Sequence, residues 1–412
     1  MVPGLRVQFR SPLSRRGCVF GLLAGALAVL SACSGVSELF NATTPSSSQQ
    51  PPPSAPTAPQ AQSEIGTGGV RVALILPLSA GGNAGTVALS MKNAAEMALA
   101  EFNSPNVQLL VKDDGGNSGG AQQAAQQALS EGAEIIIGPL FAHSVSTVGA
   151  VARQRGVPVI AFSTDATVAA RGVYLLSFLP ESDVDRIVEY SIASGKRSFA
   201  AMLSEGAYGN VVEAEFKQVV ARKGGRVVAL ERYSLDANKM QVPAKVVAQA
   251  ARGADAVFIP EGPEVVPSVV QALTAAGLNT KRVQLLGTGL WDDPAVAKDA
   301  SLIGGWYSVP PQDQRQNFSN RYQQLYTAKP PRIATLAYDG VALAATLSRG
   351  AVGRRYTTAT ITDPNGFSGI DGIFRFLPNG FTERGLAVME IAPNGSLIVA
   401  SPAASTFQSQ GF

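Results

Sequence analysis

Small polar side chains follow two apolar runs in the first half of this 412-residue chain. Ser144 and Ser146 come after Ala133–Ile137 and its Gly138-Pro139 turn, and Ser163, Thr164 and Asp165 close Val157–Phe162. Hydroxyls and backbone amides at strand ends, facing helix N-termini, can hold a carboxylate or another small anion. Other side chains narrow the chemistry by what they lack. One histidine, His143, excludes a multi-histidine metal site, and two cysteines, Cys18 and Cys33, leave no cysteine-based zinc site once a leader is removed. Asp113-Asp114 beside Gly115-Gly116 read as turn and cap residues rather than as a metal or acid–base pair. The glycine-rich turn Ser79–Gly85 has no Gly-Lys-Ser/Thr after it and no G-x-G-x-x-G order, so it is not a phosphate loop. Its backbone and Ser79 either approach a ligand or only make the turn. His143 reads as a locally bonded side chain. With no nucleophile beside a base, no metal cluster and no cofactor motif, the expectation is a binding protein, not an enzyme.

The elements that must position these residues follow from periodicity. Ala133–Ile137 and Val157–Phe162 are apolar without alternation, as in a parallel sheet covered on both faces. Val145, Val148, Val151 and Ala152 between them fall at helical spacing. The pattern begins at the strand Val70–Leu78 and continues through Val107–Lys112 to Val173–Phe178. Pro180-Glu181-Ser182 interrupts it, and the alternation restarts with strands at Ser198–Leu203, Arg226–Leu230, Ala254–Ile259 and Val283–Leu286. Strand–helix alternation repeated in this way predicts two parallel sheets, hence an α/β chain of two lobes with a ligand cleft between their strand ends. Trp306–Pro311 reads as a second crossing between lobes, and Gly369–Ala400 as short strands joined by tight turns. The expected divisions are a leader at 1–32, a tether at 33–69, lobe 1 from 70–180 and 312–368, lobe 2 from 181–311 and 369–402, and a loose tail at 403–412.

Charge adds little. The chain carries 33 Lys and Arg against 30 Asp and Glu, but Arg6, Arg10, Arg15 and Arg16 all lie in the leader, leaving 29 against 30. A near-neutral mature chain gives no electrostatic case for nucleic acid. The leader has a basic start and the apolar run Val19–Leu30, too short for an ordinary membrane span. Leu30-Ser31-Ala32-Cys33 resembles the lipobox of bacterial lipoproteins, which implies a diacylglycerol-modified Cys33 as the new N-terminus. Ser34 rather than Asp follows, which by analogy with enteric lipoproteins implies the outer membrane. Ser14-Arg15-Arg16 departs from a twin-arginine signal because Cys18 stands where a large apolar residue belongs. Asn41–Gly69, rich in Ser, Pro, Gln and Thr, has too little apolar material to order itself and reads as a tether.

Between about residues 70 and 400 the chain resembles type I periplasmic binding proteins, in particular the leucine/isoleucine/valine receptors. The resemblance rests on VALILPLS at Val72–Ser79, IIIGPL at Ile135–Leu140, GVPVIAFSTD at Gly156–Asp165, AYG at Ala207–Gly209, YDG at Tyr338–Gly340 and GIDGIFRFLPNG at Gly369–Gly380. It implies a two-lobed fold, each lobe a parallel sheet flanked by helices, with interlobe crossings and a C-terminal hairpin. It also implies that Ser144, Ser163, Thr164 and Asp165 hold the ligand carboxylate from the first lobe, where Ser79 and Phe141 are further candidates for the ligand site. Tyr208, Glu261 and Trp291 face them from the second lobe. In those receptors an acid of the second lobe pairs with the ligand ammonium. By position it falls near Gly289, where this chain has no acid, and Glu261 is the candidate to replace it. Ser144 and Ser163 also fit helix caps, and Trp291 also fits a hinge seal.

The resemblance implies a periplasmic, lipid-anchored receptor that closes on an amino acid or similar small anion and delivers it to the permease of an ABC transporter. The lipobox, tether, LILPLS and IIIGPL also resemble outer-membrane lipoprotein activators of penicillin-binding proteins, whose partner is a peptidoglycan synthase. A third possibility, acid–base chemistry between Asp165 and Glu261, is not demanded by any feature.

Overall fold

The computed structural model describes residues 64–102, 106–234 and 237–407. The leader, Cys33 and all but the end of the tether lie outside these residues, as does the tail beyond Phe407.

The first lobe is built in chain order from β1 (Glu64–Ile65), β2 (Val70–Leu76), α1 (Asn83–Glu101), β3 (Val107–Asp113), α2 (Ser118–Ser130), β4 (Ile135–Ile137), α3 (Ala142–Arg153), β5 (Val159–Ala161) and β6 (Val173–Leu175). Its sheet runs β1-β3-β2-β4-β5-β6 and is parallel except for β1, which pairs antiparallel with β3. Burial on both faces explains the unbroken apolar runs. Val72, Leu74 and Leu76 pack with Met91 and Ala95 of α1, while Ala73 and Ile75 on the opposite face pack with Ala121 and Ala125 of α2 and Val145 and Val148 of α3.

The second lobe follows with α4 (Pro180–Ala193), β7 (Ser198–Ser204), α5 (Ala207–Arg222), β8 (Arg226–Tyr233), α6 (Ala237–Ala250), β9 (Ala256–Phe258), α7 (Val266–Ala275), β10 (Gln284–Gly287), α8 (Pro294–Lys298) and β11 (Trp306–Val309). Strands β8-β7-β9-β10-β11 are parallel, so Trp306–Val309 is a fifth strand of this sheet and the crossing predicted there begins only at Pro310.

The chain then returns to the first lobe as α9 (Asp313–Tyr326), α10 (Ala334–Leu347) and α11 (Thr358–Ile361). Leu336, Ala337, Val341 and Ala344 of α10 cover the same sheet face as α1, and Phe318 and Tyr322 of α9 pack with Ala94 and Met97. Next come β12 (Phe367–Gly369), β13 (Gly372–Phe376) and β14 (Thr382–Arg384), a small antiparallel sheet. The sequence placed residues 369–402 together in the second lobe. The structure divides them. Phe374 and Phe376 alternate along β13 and both enter the first-lobe core, with Phe376 5.5 Å from the ring of Tyr174. Only β15 (Ala387–Ile391) and β16 (Leu397–Ser401) join the second sheet, antiparallel beyond β11. The tail, expected to be loose from residue 403, is placed as far as Phe407, whose ring lies 4.7 Å from the guanidinium of Arg375. The chain thus passes between lobes near Leu179, Pro310 and Leu386.

Candidate functional site

In each sheet the strand order reverses beside the first strand, at β2/β4 and at β7/β9. Ligands of open α/β sheets bind outside the carboxyl ends of the strands at such switch points. The residues predicted from sequence do cluster there, but most are committed to local bonds.

On the first lobe, Ser79 is exposed and its amide donates to Oδ1 of Asp113 at 3.2 Å, which also accepts the Gly115 amide at 2.9 Å. The paired aspartates are therefore turn residues, as their neighbours suggested. Phe141 precedes α3 and stacks on His143, 5.7 Å between ring centres, while His143 Nε2 lies 3.0 Å from the Gly116 carbonyl. Ser144 is fully buried beside Asp114, so its hydroxyl does not reach the cleft. Ser163 Oγ accepts the Asp165 amide at 3.1 Å, Thr164 is exposed, and Asp165 Oδ1 caps the turn at Ala166–Val168 by accepting the Thr167 amide at 2.9 Å. The Ser163–Asp165 run is a self-bonded turn.

On the second lobe, Glu261 is buried and each of its oxygens is taken by Ser204, Oε1 by the amide at 2.7 Å and Oε2 by the hydroxyl at 3.2 Å. It ties the ends of β7 and β9 together. Trp291 is 1% exposed and its Nε1 donates to the Ile259 carbonyl at 3.1 Å. Its ring lies on Gly287, where an added Cβ would come within 2.2 Å of it, so Trp291 seals the sheet end inside the lobe. Tyr208, at the start of α5, is the exception. Half-buried, it shares a hydrogen bond of 3.0 Å with Thr288 Oγ1 and opens onto a cavity of about 200 Å³ between the lobes.

The cavity draws on every passage between lobes. Phe178, Leu179, Pro180 and Asp183 come from the first, Pro310 from the second, and Arg384 and Leu386 from the third. Gly289 and Leu290 join Tyr208 from the second lobe, and Arg332 enters from the segment before α10. Asp183 sits in the first turn of α4; its Oδ2 accepts the Gly289 amide at 3.3 Å and its Oδ1 the Ser308 hydroxyl at 3.1 Å. Burial pushes its carboxyl up to about 6, opposed mainly by Arg332. Arg384 donates Nε to the Ser177 carbonyl at 3.0 Å, and Arg332 Nη1 lies 3.7 Å from Asp292, a buried carboxylate that also holds Arg315 at 2.7 Å. Nε and Nη2 of Arg332, and both Nη atoms of Arg384, are shielded from solvent and have no hydrogen-bond acceptor among the described residues. Burial works against the charge of Arg384, with Asp371, Asp339 and Asp183 supporting it. The arrangement is an apolar chamber with two guanidinium groups and one committed carboxylate on its wall. It suits a small anion with an apolar body.

Arg332, Arg384, Phe178 and Asp183 were not singled out from the sequence. Arg332 follows Pro330-Pro331, and Arg384 follows the Pro378-Asn379-Gly380 turn, so each could have been marked as an arginine at a predicted lobe boundary. Among the described residues no group of His, Cys, Asp and Glu could hold a metal ion, and no helix is long and apolar enough to cross a membrane.

A family described as periplasmic binding protein matches residues 69–396. The fold is also that of a proposed branched-chain amino acid ABC transporter protein from Rhodospirillum rubrum, 18% identical, covering 80% of this chain and 99% of that one with a TM-score of 0.71. An ABC transporter substrate-binding protein from Desulfitobacterium hafniense, in complex with Leu, is 16% identical over 80% of this chain and 99% of that one, TM-score 0.59. A solute-binding protein from R. palustris, in complex with 4-hydroxybenzoate, is 19% identical over 82% and 98%, TM-score 0.59. No curated protein matches the chain. This chain belongs to the periplasmic binding proteins, and its fold is that of their type I members. Such proteins are extracytoplasmic solute receptors.

Proposed function

We propose that this protein closes its two lobes over a small solute carrying a carboxylate and presents it to the permease of an ABC transporter. The observation that carries this reading is an apolar chamber beside every passage between the lobes, with the side chains of Arg332 and Arg384 on its wall. A carboxylate in the chamber lies beside two guanidinium groups, and charge-assisted pairs of this kind are strong when shielded from water. Contacts from both lobes make the closed state the one a ligand selects. The Leu and 4-hydroxybenzoate of the two neighbouring structures both carry a carboxylate, which agrees with this chemistry. Isothermal calorimetry of the purified full chain against leucine, benzoate and 4-hydroxybenzoate tests the reading. Heat that saturates with one of them, at an affinity about tenfold or more weaker in Arg332→Met, supports it; no saturable heat with any of them contradicts it.

Lipid attachment at Cys33 and outer-membrane residence belong to the same proposal, resting on Leu30-Ser31-Ala32-Cys33 and on Ser34. Cys33→Ser should move the protein from the membrane to the soluble fraction of cells.

A second reading, an activator of a peptidoglycan synthase, is favoured by one observation. Asp292 of the second lobe pairs with Arg315 and Arg332 of the segments that pack on the first, so the protein's own side chains tie the lobes together. A rigid pair of lobes suits a docking surface more than a trap. In that case the calorimetry stays flat and a synthase co-purifies.

A further inference from the structure

The chain crosses the hinge once more after its three passages, in its last described residues. Strand β16 ends at Ser401 in the second lobe, paired with Val388 just past the third passage. Arg186 of α4 fixes that end, donating from Nε to the Leu386 carbonyl at 2.7 Å and from Nη2 to Ser401 Oγ at 2.6 Å. Six residues later Phe407 lies on the small sheet whose Phe374 and Phe376 enter the first-lobe core. Its seat is built by other residues. Arg375 of β13 is held by Glu383, 2.6 Å from both Nε and Nη2, and by the Pro364 carbonyl at 3.1 Å, which leaves the face of the guanidinium to the Phe407 ring at 4.7 Å. Gly366, with φ +70°, completes the seat, since an added Cβ there would stand 2.7 Å from the ring. The segment between these anchors runs beside the third passage, where a Cβ on Gly385 would meet the Ala404 carbonyl at 2.8 Å. It arches over a cavity of about 600 Å³ that has Arg186 and Glu189 of α4 on one wall and Glu383 and Leu386 on another. Ala404, Ser405 and Thr406 are exposed along the arch, whereas Phe407 is half-buried. A tail without a role would leave the ring in water with its neighbours.

We infer that residues 402–407 are a releasable splint across the hinge, latched by Phe407 on Arg375, which restrains the two lobes from separating. Rotation at the third passage turns β16 against β13 and draws the ring from its seat, so opening of the lobes and release of the latch are one event. The inference holds whichever solute the chamber takes. A ring seated on a guanidinium and shielded on one side shifts such an equilibrium by about tenfold. Small-angle X-ray scattering of the full chain, with no solute added, reads the balance of open and closed forms. Phe407→Ala should raise the open-to-closed ratio by about tenfold, and the radius of gyration with it. A chain ending at Pro402 should do the same, and Phe407→Tyr, which keeps the ring, should scatter as the parent does. Circular dichroism melting of Phe407→Ala close to that of the parent separates opening from unfolding. An unchanged radius in both Phe407→Ala and the shortened chain overturns the inference. A rise in the shortened chain alone, or one of equal size in Phe407→Tyr and Phe407→Ala, also overturns it, because either result takes the latch away from the ring of Phe407.

Discussion

The guanidinium of Arg332 lies 4.6 Å from the centre of the Phe178 ring. Arg384 approaches the same ring at 5.0 Å, so one aromatic side chain in the first passage between lobes carries two cations from the first-lobe side. Stacking on a ring leaves the edge of a guanidinium available for an in-plane acceptor. Arg332→Met keeps much of the stem's packing on Phe178 while removing the donors. It should lower carboxylate affinity by about tenfold or more, the usual effect of losing a charge-assisted hydrogen bond in a shielded site. Calorimetry against benzoate reads this, and circular dichroism melting should show a smaller change than in Arg384→Met, where a bond to Ser177 is lost as well.

Asp339 of α10 gives the fold a pH dependence. Burial pushes its carboxyl from 3.8 up to about 7, although its Oδ1 accepts the Ile370 amide at 2.9 Å. The folded chain therefore holds a proton at Asp339 that the unfolded chain has already released. This burial cost is absent below the unfolded value and complete above about 7, so stability contributed here falls as pH rises from 4 to 7. Asp183 acts in the same direction up to about 6. Melting temperature followed from pH 4 to 8 should therefore decline less steeply in Asp339→Asn than in the parent chain. An identical slope in both contradicts the assignment.

Glu261 should behave as a structural residue. Glu261→Ala removes the acceptor of both Ser204 bonds and should cost roughly 1.5–3 kcal/mol of stability, the range for hydrogen bonds to a charged group. Affinity for carboxylates should not change. A loss of binding without a loss of stability would return Glu261 to the ligand site.

How much was legible in the sequence depended on whether a residue's partners were near it along the chain. The two parallel sheets could be read because Val70–Leu76, Ile135–Ile137 and Ser198–Ser204 are each apolar on both faces and each is followed by a helical repeat. Tyr208 could be read because it opens the helix after the first strand of the second lobe. The arginines could not. Arg332 and Arg384 lie on separate returns to the hinge, 52 residues apart by their numbers, and no periodicity links an arginine to a phenylalanine in a different passage. Ser163 and Asp165 show the opposite case, with partners close along the chain. Their hydroxyl and carboxylate find local amides before any ligand, an option open to every short polar side chain at a turn.

The small sheet supplies a further test, because Phe376 is 1% exposed and sits in the first-lobe core. Phe376→Ala should destabilise the protein by roughly 3–5 kcal/mol, as large-to-small changes of buried aromatic residues do. Chemical denaturation followed by a first-lobe probe reads this. A cost near zero would remove β13 from that core.

The central claim is that the chamber between the lobes is a carboxylate site held by Arg332 and Arg384. The most direct measurement is thermal unfolding of the full chain across a series of benzoate concentrations, run in parallel with Arg332→Met. The account predicts a melting temperature that climbs with benzoate in the parent chain, equivalent to about 2.7 kcal/mol at a hundredfold excess over Kd, and a climb of about half that or less at the same concentration in the variant. A climb of equal size in both proteins, or in neither, would contradict it.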